Sequence, residues 1–321
     1  MADESANVAW ENFPLPPLEK AGRDTPGFLS PFSSRGDLAE FYGRTEDGAA
    51  ICLAPQEPME VKAGIRRNFA RRVRSYDRHA CMQRLMAHGL VAVAQGILAR
   101  ARRILEIGCG TGYLTQLLRQ ANGEARLVCL DLDAALLKAA RDRLGPEAGV
   151  AFLVADGESP IRGEYDLVIA NATFQWFTHP GETLAAYYRS LAPGGALAFS
   201  TLGPGTFQEL AGSLTQAAHS LNLTGAPRIP AQDFGDPETW SHHLHRAGFS
   251  QVQMSREMIT TTFPTVGDFL KALQATGATN PTPRPFSPRL LTATINAYQT
   301  TYGRNGTIPV SYEVIWAVAQ K

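Results

Sequence analysis

The chain has 321 residues, 44% of them hydrophobic, and its 30 lysines and arginines balance its 30 aspartates and glutamates. That length holds one large or two small domains with a substantial core, and the zero balance excludes the general positive field that binding nucleic acid or an anionic membrane needs. No apolar run approaches membrane-spanning length, and the amino terminus, MADESANVAWENFPLPP, lacks the charged-then-apolar pattern of an export signal, so a soluble cytoplasmic protein is expected.

Residues 1–60 carry FPLPP, several glycines and no sustained periodicity, which predicts an irregular extension. From Val61 a helical pattern runs with short breaks to Arg100, and this stretch is expected to cover the ligand site as a lid. Inside it, IRRNFARRVRSYDR (Ile65 to Arg78) is dense in arginine. It reads either as a solvated helix face or as a local basic patch.

Ile104 to Thr115, ILEIGCGTGYLT, runs from an apolar strand through Gly108, Gly110 and Gly112 into an amphipathic helix beginning near Tyr113. Glycines lack Cβ, so such a turn takes left-handed dihedrals and a ligand can lie against its backbone. The helix start presents free N–H groups and a positive dipole end, suited to a carboxylate. A dinucleotide fold competes, but its G-x-G-x-x-G places two residues before the third glycine, where this chain has one. A P-loop is excluded because no Gly-Lys-Ser/Thr follows.

The next strand, RLVCLDLD (Arg126 to Asp133), puts Asp131 at its carboxyl end, about twenty residues past the glycines, where a carboxylate accepts hydrogen bonds from both ribose hydroxyls. Asp133 reads as the N-cap of the helix AALLKAARDRL. A third strand, Val150 to Ala155, ends in Asp156, which is either a ligand contact or a loop-capping aspartate. Tyr165 to Asn171, YDLVIAN, is apolar enough for a central strand covered on both faces. The following ATFQWF should then overhang the crevice, making Phe174, Gln175 and Trp176 candidate walls of an acceptor site, or ordinary core aromatics.

Glu182 to Leu191 reads as helix, LAPGG as a turn and Ala196 to Thr201 as a strand. Strand and helix thus alternate, which predicts an α/β, doubly wound, mostly parallel sheet. A long excursion, Gly203 to Thr262, mixes helical and strand patterns, and Ile308 to Gln320 reads as a closing strand. His242, His243 and His245 lie in the excursion at positions that face different ways on a helix, so no metal site is predicted. Cys52, Cys81, Cys109 and Cys129 show neither C-x-x-C pairing nor zinc spacing and read as reduced thiols.

The strand–glycine–helix motif resembles the cofactor loop of class I S-adenosylmethionine-dependent methyltransferases. More specific segments resemble the BioC family of malonyl-acyl-carrier-protein O-methyltransferases: NFARRVRSYDRHACMQ, NATFQWF, FSTLGPGTFQEL, FLKALQATGATN and SYEVIWAVAQK, in that order. The resemblance covers roughly 61–321. It implies a Rossmann-like seven-stranded sheet with a helical lid and a substrate-side insertion within 203–305.

It also implies S-adenosylmethionine as cofactor, held by Glu106, Gly108, Cys109, Gly110, Gly112, Asp131, Leu132, Asp156, Gly157 and Asn171. Gln83, Phe174, Gln175 and Trp176 would face the acceptor. Tyr76 matches a family tyrosine near cofactor and substrate, and Arg189 is a candidate partner for the malonyl carboxylate because a guanidinium fork matches a carboxylate. The implied partner is malonyl acyl carrier protein, with Arg66, Arg67, Arg71, Arg72 and Arg74 suited to an acidic carrier; no nucleic acid, membrane or metal is implied. Two rivals stay open: the same fold acting on another small carboxylic acid or a quinone, and a noncatalytic assembly factor that retains the fold.

Overall fold

The computed structural model describes residues 64, 78–146, 149–159, 163–224, 227–276 and 287–321. Tyr76, the arginines between 66 and 74, and the extension over 1–60 lie outside the described residues.

Seven strands form one sheet: β1 (Arg103–Ile107), β2 (Arg126–Asp131), β3 (Val150–Val154), β4 (Tyr165–Asn171), β5 (Leu191–Leu202), β6 (Gln251–Phe263) and β7 (Ile308–Gln320), in the order β3-β2-β1-β4-β5-β7-β6. β1 to β5 pair in parallel, and β7 runs antiparallel to both β5 and β6. This is the doubly wound, mostly parallel Rossmann-like sheet that the alternation of strands and helices predicts. Its strand order reverses between β1 and β4, which places a crevice at their carboxyl ends.

Helices α1 (Cys81–Val93), α2 (Gln95–Leu98), α3 (Tyr113–Ala121) and α4 (Ala134–Leu144) join a core that includes Met86, Leu90, Leu98, Leu118 and Leu137. Helices α5 (Pro180–Ser190) and α7 (Pro237–Ala247) join a second core with Leu184, Tyr187, Trp240 and Leu244. Of the stretch expected to cover the site, α1 packs as a layer on the sheet. Met86 and Leu90 are fully buried, the Trp316 indole N–H donates to the Met86 carbonyl at 3.0 Å, and a Cβ on Gly89 would strike that indole. An apolar helix face buried this completely is a fixed layer of the sheet rather than a flap.

β5 ends opposite Val314, so residues 308–313 and their β6 partners rise past the parallel strands as a two-stranded ribbon. Helices α6 (Gln208–Ser220), α8 (Val266–Ala275) and α9 (Pro288–Tyr302) gather on it around Phe207, Leu214, Phe269, Leu290 and Tyr298. Within 203–305 the lobe is built from α6, α8 and α9, whereas α7 and the first half of β6 pack with the sheet. On α7, His242 and His245 are exposed, and the described residues hold no metal-binding cluster.

Candidate functional site

A cavity of about 840 Å³, counting its open mouth, lies at the switch point. It is lined by the β1 end (Ile107, Gly108, Gly110), the β2 end (Leu130 to Asp133, with Leu136), the loop Ala155 to Glu158, and the β4 end (Asn171 to Thr173, Trp176, Phe177).

The glycines differ in what they do. At Gly110, φ is +56° and an added Cβ would meet nothing within 4 Å, so this residue leaves open ligand space. A Cβ on Gly108 would lie 2.5 Å from the Thr173 hydroxyl, and one on Gly112 would strike Ala140 of α4. Glycine at those two positions is also required by packing, and Gly108 lines the cavity as well. Cys109 likewise turns its side chain into the core, and its N–H donates to the Leu130 carbonyl at 3.0 Å.

Asp131 organises the turn. Its carboxylate accepts the Gly110 N–H at 2.9 Å and the Asp133 N–H at 3.0 Å, leaving further lone pairs toward the cavity for hydroxyl donors. Burial pushes its carboxyl up to about 6. Asp133 caps α4 through the N–H groups of Ala135 and Leu136, as its position predicts.

Glu106 points beneath the turn and does not line the cavity. It is 1% exposed, accepts the Thr115 hydroxyl at 2.6 Å on one oxygen, and leaves the other buried without a hydrogen-bond partner. Burial pushes its carboxyl up to about 7.

Asp156 lines the cavity and also accepts the Glu158 N–H at 2.9 Å within its loop. Gly157 is fixed by the buried Tyr187 hydroxyl, which donates to its carbonyl at 2.7 Å. Glu158, unmarked in the sequence, accepts the N–H groups of Thr178 and His179 and so supplies the α5 N-terminus with an anion from another loop. Asn171 donates to the Gln83 carbonyl at 3.0 Å and accepts the Ser200 hydroxyl at 2.6 Å. Gln83 thus reaches the site through its backbone. Ala172 is left-handed at φ 51°, a strained conformation for a residue with Cβ, at the point where the chain turns over the cavity.

The acceptor-side candidates separate. Trp176 lines the cavity together with Phe177, which the sequence reading did not single out. Phe174 is 1% exposed and stacks on Phe199 at 4.4 Å between ring centroids, so it is core. Gln175 lies outside the lining and spans the Ala172 carbonyl and the Thr201 hydroxyl. Arg189 is exposed in the last turn of α5. That helix starts beside the crevice and leads directly into β5, so Arg189 stands near the amino end of β5, away from the carboxyl ends that line the cavity. Its cation suits the helix C-terminus there, which corrects its assignment as a carboxylate partner.

Asp131, Asp133, Asp156 and Glu158 line the cavity, and its lining contains no lysine, arginine or histidine among the described residues. A pyrophosphate would meet this wall unfavourably, whereas a cationic ligand is attracted to it. The geometry therefore agrees with the glycine spacing in disfavouring a dinucleotide.

Residues 105–199 match the family model described as a methyltransferase domain. Curated relatives named malonyl-acyl-carrier-protein O-methyltransferase include that of Brevibacillus brevis, 35% identical over 80% of this chain and 96% of its own length. The Anoxybacillus flavithermus relative is 35% identical over 81% of this chain and 98% of its own, and that of Geobacter sulfurreducens 33% identical over 80% and 98%.

Proposed function

Because the chain belongs to the malonyl-acyl-carrier-protein O-methyltransferase family, we infer that it methylates the free carboxylate of malonyl acyl carrier protein, with S-adenosylmethionine as donor. The observation that carries the donor assignment is the acidic cavity at the switch point, entered by a glycine turn that Asp131 pins open. Space at Gly110 suits a ligand on the backbone, Asp131 suits ribose hydroxyls, and Ile107, Leu130, Leu132 and Leu136 offer an apolar wall for a base. The methyl acceptor is set by the family, whose relatives carry that activity in their name.

Bound S-adenosylmethionine supplies a methyl group already activated by its sulfonium. An acceptor carboxylate is ionised at neutral pH, so the protein needs no general base. The glycine turn and Asp131 would hold the donor so that it supplies that methyl group to an acceptor carboxylate oxygen. The chain's contribution is placement and exclusion of water. Thr173, Asn171 and Ser200 hold the β4 turn rigid, and Trp176 and Phe177 close the cavity beside it.

Esterification erases the negative charge of the malonyl end, which lets that end enter apolar pockets of chain-extending enzymes without a desolvation cost of several kcal/mol. A step that opens biotin synthesis by disguising a carboxylate fits this chemistry. Tyr76 and the arginines between 66 and 74 enter the proposal only through the family resemblance, as acceptor-side hydroxyl and carrier-facing cations. A cytoplasmic location fits as well: Cys81, Cys109 and Cys129 are free thiols, and no described helix is long and apolar enough to cross a membrane.

The test is transfer of labelled methyl from S-adenosylmethionine to malonyl acyl carrier protein, with acetyl acyl carrier protein as the control without a free carboxylate. Label on malonyl alone is expected. Cofactor binding with no label on malonyl would move the assignment to another acceptor or to a noncatalytic role.

A further inference from the structure

The carboxylates around the crevice are not equivalent. Asp133 is engaged by the α4 N-terminus, Asp156 bonds within its own loop, and Glu158 accepts the N–H groups of Thr178 and His179 at the start of α5. Glu106 and Asp131 remain as a buried pair, 1% and 9% exposed, on neighbouring strands below and beside the glycine turn.

The polar and titratable groups that face Glu106 are Thr115 from α3, Cys129 and Asp131 from β2, and Cys109 from the turn; its β4 neighbour is Ile169. Those around Asp131 are the N–H groups of Gly110, Leu132 and Asp133 and the Asp133 carboxylate. No lysine, arginine or histidine stands among them. One Glu106 oxygen is buried with no partner at all. Two carboxyls buried this way, with the Asp131 charge further raising the proton affinity of Glu106, do not both ionise readily. Burial pushes Glu106 up to about 7 and Asp131 up to about 6, the direction the geometry requires.

We propose that the Glu106–Asp131 pair holds a proton in the free protein and releases it to solvent when the cationic cofactor enters, ligand charge replacing the proton. The inference rests on the cofactor reading above. Only a carboxyl O–H bond is broken, and the proton passes to buffer. After methyl transfer the thioether product has lost the sulfonium charge, so the pair recovers its proton and the product is held less tightly. The acidic site thereby distinguishes donor from product by charge, using residues remote from the acceptor.

Calorimetric titration of the full chain with S-adenosylmethionine and with S-adenosylhomocysteine, at about pH 6.5 in buffers of low and high ionisation enthalpy, reads the proton directly. At that pH the ligands' α-amino groups, with ordinary values near 8, stay protonated. The expected result is release of roughly half to one proton for S-adenosylmethionine and clearly less for S-adenosylhomocysteine. Glu106→Gln should shrink the difference, and the wild-type comparison stands without that variant. Binding with buffer-independent heats, or equal release by both ligands, would overturn the proposal and leave the cofactor reading intact. Binding of neither ligand would overturn both.

Discussion

The crevice and the helical lobe are held by different forces. Around the crevice, side chains grip backbone: Asp131 on Gly110, Glu158 on Thr178 and His179, Tyr187 on Gly157, Thr173 on Asn171. In the lobe, Phe207, Phe269, Leu290 and Tyr298 pack as a separate apolar core, and one buried carboxylate, Glu209, fixes α6 to the ribbon through the Ser311 N–H and hydroxyl. The crevice is thus preorganised atom by atom, while the lobe is placed as a packed body. Damage to the first should appear in cofactor binding, and damage to the second in stability and acceptor use.

The largest effect is expected at Phe174, and comparison with Trp176 in the same loop tells core from wall. Phe174→Ala should cost about 3–5 kcal/mol of unfolding free energy. Trp176→Ala should cost much less stability yet lower kcat/KM, and denaturant titration beside steady-state kinetics separates them. Equal losses in both would mean that the loop does not divide as described.

Glu106→Gln should change stability with pH. The folded carboxyl, near 7, lies above its ordinary 4.5, so its contribution is fully present below about pH 4.5 and is lost as pH rises through about 7. At pH 8 the free variant should therefore be more stable than wild type, by on the order of 3 kcal/mol at most, with the gap closing as pH falls. Melting curves across that window check the sign, and a gap that widens toward acid contradicts it.

Asp131→Ala, which removes a charged acceptor for ribose and for Gly110, should weaken cofactor binding about a hundredfold by equilibrium dialysis. Glu209→Ala strands the Ser311 N–H and should cost about 1–3 kcal/mol of stability with cofactor affinity retained. If the two variants exchanged phenotypes, the division between crevice and lobe would fail. The smallest effect is assigned to Arg189→Ala: turnover and affinity should match wild type, and a large rise in KM for the malonyl substrate would return this residue to the site.

Much of the crevice was legible because its signals are local. The strand–glycine–helix spacing, Asp131 at a strand end and Asp133 as a cap each depend on residues within a few positions, and alternating strands and helices imply the sheet. Contacts made across the fold left no such mark. Phe174 reads like its neighbour Trp176 until Phe199 and Trp240 are seen packing on it. The α1 pattern fits a lid or a sheet layer equally until Trp316, 230 residues away, bonds to Met86. Glu158 gave no hint that it serves the start of α5, and the extent of the lobe was hidden because α7 and β6 interrupt it in sequence and return to the sheet.

The central claim is methylation at the carboxyl oxygen, and the direct measurement is mass spectrometry of malonyl acyl carrier protein after incubation with the protein and S-adenosylmethionine, before and after mild alkali. Gain of one methyl group that alkali removes, leaving free malonyl or its hydrolysis product, is the predicted result. A methyl group that survives alkali on the acyl carbon, or none gained while cofactor binds, would contradict it.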